Sequence, residues 1–532
     1  MLNINSDKLS RKTKYGLAAA AFAVSTIAII AYLKSDDRSK PAAAVSAPVS
    51  KTPAQLAAAP ATKPAPPPVV KPTAKPAKAK KPAKPKKAKK VAGNPSAAYA
   101  PANLSVLNTN GAWTWFNNKR AILDSAHRQI IFSSVSNSAG KDRRKGNIDI
   151  TAYHLDTKKT ERFTLNNTLK ANDDHNSAAL YLRPDGRILA MYATHNGDKM
   201  LRWRISNKPG DISSWGNEQS VNAGDRASYS NLVASDMQAS VLYNFTRSVG
   251  FDPNLLVSQD KGTTWSYGGR LLNDNGSNKR KGRPYTLYAS DNAGRIHIIA
   301  TDGHPRDTRN TIYHGIISDE RLLRADGAVV DSNIFDGKAV RPKALSVVMK
   351  AQPDASQWIQ DIAVGTDKQP YAAFSLRKLI QPKANGKKLD SWIIYYYYGR
   401  FDGKQWQVTP LAYGGTPLYN NEKDYSGLVA LDPANPWRVF ISTNSDPANG
   451  LPLISRSDNK RHYEIFEGRS NDNGKTWNWQ AVTRDSGSDN IRPTVVAAAG
   501  SDTYVLWLRG RYASYKKYNM NVVGALPYTP AK

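Results

Sequence analysis

Two stretches of this chain repeat one pattern, Ser-x-Asp-x-Gly-x-Thr-Trp: Ser258-Gln259-Asp260-Lys261-Gly262-Thr263-Thr264-Trp265 and Ser470-Asn471-Asp472-Asn473-Gly474-Lys475-Thr476-Trp477. A degenerate copy runs from Ser206 to Trp215. The residue types suit a tight hairpin turn. The Asp carboxylate ties down turn amides, the Gly takes a positive φ at no steric cost, and the Trp packs beneath. A turn of this kind, used repeatedly along one chain, constrains it to a repeated antiparallel architecture.

The texture from Asn103 onward agrees. Short runs rich in Val, Ile, Tyr, Trp and Thr, among them 129–135, 148–154, 295–300, 392–398 and 503–508, alternate with Gly/Asn/Asp/Pro turns. No long stretch carries the 3.6-residue period of a helix. Short strands recurring over roughly 430 residues argue for an all-β array. The repeated turns resemble the Asp-box (BNR) repeats of sialidase-like β-propellers. That resemblance implies an all-β fold, a seven-bladed β-propeller over residues 96–532, with about 60 residues per blade. It also implies that the Asp boxes sit away from any active site, and it does not separate enzymes from non-enzymes.

The segment before the propeller differs. Lys8, Arg11, Lys12 and Lys14 precede an apolar run from Gly16 to Leu33, and no small-residue cleavage site closes that run. The length is near the lower limit for a spanning helix. Residues 1–34 are therefore expected to form an N-terminal hydrophobic helix, an uncleaved anchor in the inner membrane with its basic end in the cytoplasm. A cleaved export signal is the alternative. Either way the bulk of the chain is expected outside the cytoplasm, in the cell envelope (periplasmic) or secreted. Residues 35–95 are mostly Ala, Pro and Lys, a disordered linker that extends up to about 180 Å when polyproline-like. It is either a plain spacer or a basic tether able to touch the envelope.

Charge and cysteine content narrow the partners. The net charge is +32, and the first 92 residues, with 19 Lys+Arg against 3 Asp, supply half of it. The rest is moderately basic throughout, which favours a polyanion (acidic polysaccharide, nucleic acid or anionic lipid), with an inert solvated surface as the alternative. The resemblance given below implies the polysaccharide, and no nucleic-acid partner is expected. The absence of cysteine removes disulfides, thiolate metal sites and cysteine nucleophiles.

Candidate chemistry centres on residues 172–195, where a hairpin with a Pro-Asp-Gly turn separates His175 from His195. A hairpin brings its outer ends together, so the two histidines become neighbours, suited to acid–base work. Two strand caps that bond nearby loops are the structural alternative. Later clusters add Tyr243 and Arg247, then Arg283 and Tyr288 after a basic run, then His304 and Arg306 followed by His314, and finally Arg492.

The run Asp-Asp-His-Asn-Ser-Ala-Ala-Leu, the Pro-Asp-Gly hairpin with Thr-His, and Asp-Gly-His-Pro-Arg with Ile-Tyr-His are similar to BNR-repeat proteins that include the seven-bladed ulvan lyases. The resemblance spans roughly Gly111 to Leu323. It implies cleavage of an anionic polysaccharide at a uronic acid by β-elimination, without an organic cofactor. By the same resemblance, His175, His195 and Tyr243 are the catalytic residues, and Arg283 clamps the carboxylate. Asn176, Arg247, Tyr288, His304 and Arg306 are expected to contact substrate. Family members can also hold structural metal ions, but no metal ligand set is identified here, and a His304/His314 site lacks further ligands. A glycoside hydrolase, with Arg283 and Arg492 in an arginine cluster, and a non-catalytic glycan-binding propeller are the rivals. No obvious Asp/Glu pair supports the hydrolase.

Overall fold

The computed structural model describes residues 100–101, 103–273, 282–380, 391–497 and 502–529, together with the backbone of the ribbon Lys383–Ala384 and Lys387–Lys388. The expected N-terminal helix, the linker and the basic run Lys279-Arg280-Lys281 lie outside these residues. No described helix is long and apolar enough to cross a membrane.

Seven antiparallel sheets succeed one another along the described chain, as blades 1 to 7 spanning 121–166, 179–222, 228–270, 286–349, 355–415, 429–481 and 489–525. The architecture is an all-β seven-bladed propeller. Six blades have four strands in a meander, whereas blade 4 has six. The ring closes because Leu104–Asn108 pairs antiparallel with Lys517–Ala525 and becomes the outermost strand of blade 7. First and last parts of the sequence thus share one hydrogen-bonded sheet, which removes an open edge.

The repeated turns fall at one structural position, between the third and fourth strands of blades 2, 3 and 6. In blade 3, Asp260 accepts from the amides of Thr263 (3.0 Å) and Thr264 (2.9 Å). Gly262 has φ 87°, and the Trp265 indole donates to the Gly262 carbonyl at 3.2 Å. Asp472 and Gly474 repeat the arrangement in blade 6. Strands alternate in direction, so these turns lie at the opposite end of the blades from the loops that follow second strands.

The axis is filled by residues 113–120, Trp-Thr-Trp-Phe-Asn-Asn-Lys-Arg, which touch every blade. The Arg120 carbonyl accepts from Ser133 of blade 1 (2.9 Å). Its guanidinium, only 1 % exposed, donates to Ser177 beside blade 2 (3.3 Å) and to the Ser230 carbonyl of blade 3 (2.8 Å). Asn118 donates to the Tyr288 carbonyl of blade 4 (2.8 Å). Trp115 packs 4.3 Å from Trp358 of blade 5 and donates to the Ser426 carbonyl before blade 6 (3.0 Å). Arg492 of blade 7 donates to the Trp113 carbonyl. Only a segment on the central axis can reach all seven sheets. Among the described residues no carboxylate bonds Arg120, and burial pulls its pKa down to about 9.

Trp115→Ala opens a cavity where this buried ring packs on Trp358 and Tyr425 and should cost about 3–5 kcal/mol. Thermal unfolding followed by circular dichroism reads this as a lower midpoint. An unchanged midpoint would remove the axial segment as a structural keystone.

Candidate active site

The hairpin behaves as the sequence predicts. Ala179–Leu182 pairs with Ile188–Ala193, His175 lies in the single 3₁₀ turn just before the first strand, and His195 follows the second. Their rings stack 3.8 Å apart at 11°.

A carboxylate not singled out from sequence holds the pair. Asp173 accepts from His175 Nδ1 at 2.6 Å and, through its other oxygen, from His195 Nδ1 at 2.9 Å. Asp174 lies 3.2 Å from His175 Nδ1 and is itself bound by Arg492 (2.8 Å) and the Tyr512 hydroxyl (2.6 Å). Asn176 is buried and accepts from the His195 amide at 2.7 Å, so it positions that residue from behind.

These contacts split the two imidazoles. For His175, burial disfavours charge, but Asp173 and then Asp174 outweigh it and raise the pKa to about 9. For His195, burial and the charge on His175 lower it to about 4, against the pull of Asp173. Burial opposes ionisation of Asp173, and the two histidines overcome it, so its pKa is lowered. Near neutrality the cluster is therefore one imidazolium, one neutral imidazole and one carboxylate. The linked stability has opposite signs. The His175 contribution is complete below its ordinary 6.5 and lost as pH rises through about 9. The His195 contribution is present above 6.5 and lost as pH falls through about 4.

The histidines form one wall of a cavity of about 560 Å³. The starts of first strands, the ends of second strands and the loops beside them supply the others, at the end opposite the Asp boxes. Blade 3 contributes Tyr229 and Arg247, blade 4 Arg283, Tyr285, His304 and Arg306, and blade 7 Tyr515. Arg247 donates to the Tyr285 hydroxyl at 3.1 Å and to that of Tyr229 at 3.4 Å, and its guanidinium lies 4.9 Å over the Tyr229 ring. Tyr229 has φ 67°, a backbone conformation that costs on the order of 1–3 kcal/mol in a non-glycine residue. Burial opposes ionisation of Tyr285, but Arg247 and Arg283 reverse the balance and lower its pKa below the ordinary 10. Tyr229, for which burial dominates and Tyr285 adds to it, stays protonated. His304 Nδ1 accepts from the Arg306 amide at 3.1 Å, and burial with the Arg283 and Arg306 charges keeps the ring neutral.

Six residues expected from sequence thus meet at this cavity: His175, His195, Arg247, Arg283, His304 and Arg306. Tyr243 and Tyr288 do not line it. Tyr243 precedes Arg247 by four residues on one strand, so it lies about 13 Å further down the blade at ~3.3 Å per residue. There it is buried between blades 3 and 4, 5.7 Å from Phe245. Tyr288 stacks on Phe245 at 3.8 Å and bonds Thr286. Arg492 is wholly buried against Asp174 and takes no part in an arginine cluster at the cavity. His304 and His314 do not meet either, since His314 is buried 3.0 Å from His297.

Sequence reasoning missed Asp173, Tyr229, Tyr285, Glu422, Tyr425 and Tyr515. Tyr229 sits at the bulge near the start of the first strand of blade 3, between the Ser228–Arg247 and Asn231–Phe245 pairs, a position that only the strand register reveals. Glu422 and Asp307 bring two carboxylates to the cavity, and Glu422 is engaged by Arg306 at 2.8 and 3.0 Å. Among the described residues, Asp173, His175 and His195 form one group able to offer three ligand atoms to a cation, within 4.8 Å of one another.

These features define a propeller with a basic, histidine- and tyrosine-lined mouth. The chain belongs to the BNR repeat-containing family, whose model matches residues 132–413. No curated protein matches its sequence. Among solved structures, an ulvan lyase described as a new family of polysaccharide lyase superposes with a TM-score of 0.53 at 13 % identity, covering 78 % of this chain and 94 % of the other. The same values hold for that lyase bound to -[GlcA(1-4)Rha3S]-. The NanB sialidase from Streptococcus pneumoniae aligns at 11 % identity, with 78 % and 70 % coverage and a TM-score of 0.35.

Asp173→Asn removes the shared anion. In histidine NMR titrations His175 should then titrate well below about 9. A titration left in place would show that Asp173 does not set it.

Proposed function

We propose that this protein is a polysaccharide lyase that cleaves an acidic polysaccharide by β-elimination at a uronic acid residue. The observation that carries the reading is one cavity that places two arginines beside an ionisable phenol, opposite an imidazolium held by a buried carboxylate. The structural likeness to a lyase bound to a glucuronate-containing fragment supports the substrate class.

Elimination needs the carboxylate charge next to C5 to be neutralised, the C5 proton removed, and a proton delivered to the departing O4. Arg247 and Arg283 grip the carboxylate and stabilise the enolate-like state, which is usually the largest single contribution. A good base has a pKa near the working pH. His195, at about 4 beside the His175 imidazolium, is a weak base, whereas Arg247 and Arg283 lower the Tyr285 pKa below its ordinary 10. Tyr285 therefore takes the C5 proton. His175, charged by virtue of Asp173, gives its proton to O4. His195 remains neutral and orients the sugar, and Tyr229 fixes Arg247. The electron pair from the C5–H bond forms the C4–C5 double bond as the C4–O4 bond breaks. We place this activity in the cell envelope, with the propeller tethered outside the cytoplasm through the N-terminal segment.

The test is to incubate the full chain with ulvan, polygalacturonate and alginate and to follow the ultraviolet absorbance of the unsaturated product. Tyr285→Phe and His175→Ala should each lower turnover by roughly 10²–10⁴-fold. New reducing ends without the absorbance would mean hydrolysis, and binding without either would mean a glycan-binding module. The rate should also fall as pH rises through about 9, where His175 loses its proton. A rate still climbing above that pH would remove His175 as the acid.

A further inference from the structure

A second cavity, of about 460 Å³, plays no part in this chemistry. Arg309, Arg377, Lys378 and Trp392 line it, with Asp354 as the one carboxylate among its described lining residues. It shares two segments with the first cavity. The loop after Arg295–Thr301 places Arg306 and Asp307 on the first and Arg309 on the second. Glu422 lines the first, while Asp424, two residues on, pairs at 2.8 Å with Arg377 of the second. Three residues of chain span at most ~10 Å, so one oligosaccharide can lie across both.

The floor of this cavity is already organised. Besides its ion pair with Asp424, Arg377 donates to Ser356 at 3.2 Å and lies 4.3 Å over the Trp392 ring, with its side chain only 11 % exposed. Lys423 approaches the same ring at 5.4 Å. Arg309 and Lys378, in contrast, are exposed at the rim. A guanidinium fixed in place, flanked by two exposed cations, suits a planar or tetrahedral oxyanion.

We propose that the second cavity is an anion subsite. It takes a sulfate or carboxylate on a sugar beyond the cleaved linkage, so the substrate is a glycan charged at more than one position. The proposal rests on the polysaccharide reading of the first cavity. Arg309 and Lys378 act in binding only and touch no reacting atom.

The test compares the full wild-type chain with an Arg309→Ala/Lys378→Ala double variant, by calorimetric titration with ulvan, chemically desulfated ulvan and polygalacturonate. Two exposed charge contacts predict a Kd raised about fivefold to tenfold at low salt, an effect that shrinks at high ionic strength. Loss for ulvan alone assigns sulfate, and loss for polygalacturonate assigns carboxylate. Equal affinities of the two proteins for all three polymers, or no binding by the wild type, overturns the subsite. Turnover read on the same samples separates the two proposals. An affinity loss without any turnover keeps the subsite and sinks the lyase, and full turnover with unchanged affinity does the reverse.

Discussion

Everything in this propeller is referred to the segment 113–120 on its axis. Seven sheets packed side by side have no intrinsic reason to stop at a given radius, and a central segment that bonds each of them sets one. It does so largely with backbone carbonyls as acceptors: Ser230, Tyr288, Ser426 and Trp113 all receive a side-chain donor. Such bonds need burial to be worth much, because in water the same groups would be solvated equally well. Arg120 shows the cost. It is charged, buried and without a carboxylate partner among the described residues, and its fork of donors makes that tolerable.

The site is an extension of this axis. Arg492 bonds both Trp113 and Asp174, and Arg120 bonds Ser177, two residues from His175. The charges therefore run outward in sequence, from buried arginine to Asp174, to His175, to Asp173, to His195. Each ion is made acceptable by the next, and the alternation leaves one imidazolium and one neutral imidazole at the cavity wall. Two isolated histidines with ordinary pKa values would be mostly neutral at pH 7 and could not hold different protonation states side by side.

Legibility from sequence follows the range of each interaction. The Asp-box turns and the His175–His195 hairpin are local, fixed by residues a few positions apart, and the structure reproduces them. Arg247, Arg283, His304 and Arg306 were visible as polar residues at strand ends, where propellers expose their loops. Tyr243 and Tyr288 carried the same local signal, yet both lie down the blade between sheets. Which tyrosine reaches the mouth depends on where the strand begins, and a shift of three or four residues moves a hydroxyl by roughly 10–13 Å.

By itself, then, the sequence determined the all-β architecture, the repeated turns and the pairing of two histidines, because each is written in short-range patterns of turn residues and strand formers. Tertiary structure alone decided that Asp173 is shared, that Arg492 serves Asp174 instead of a ligand, and that Tyr229 and Tyr285 stand where Tyr243 was expected. Those outcomes depend on contacts across several blades, and on burial strong enough to move a proton from one group to another, which no local pattern encodes.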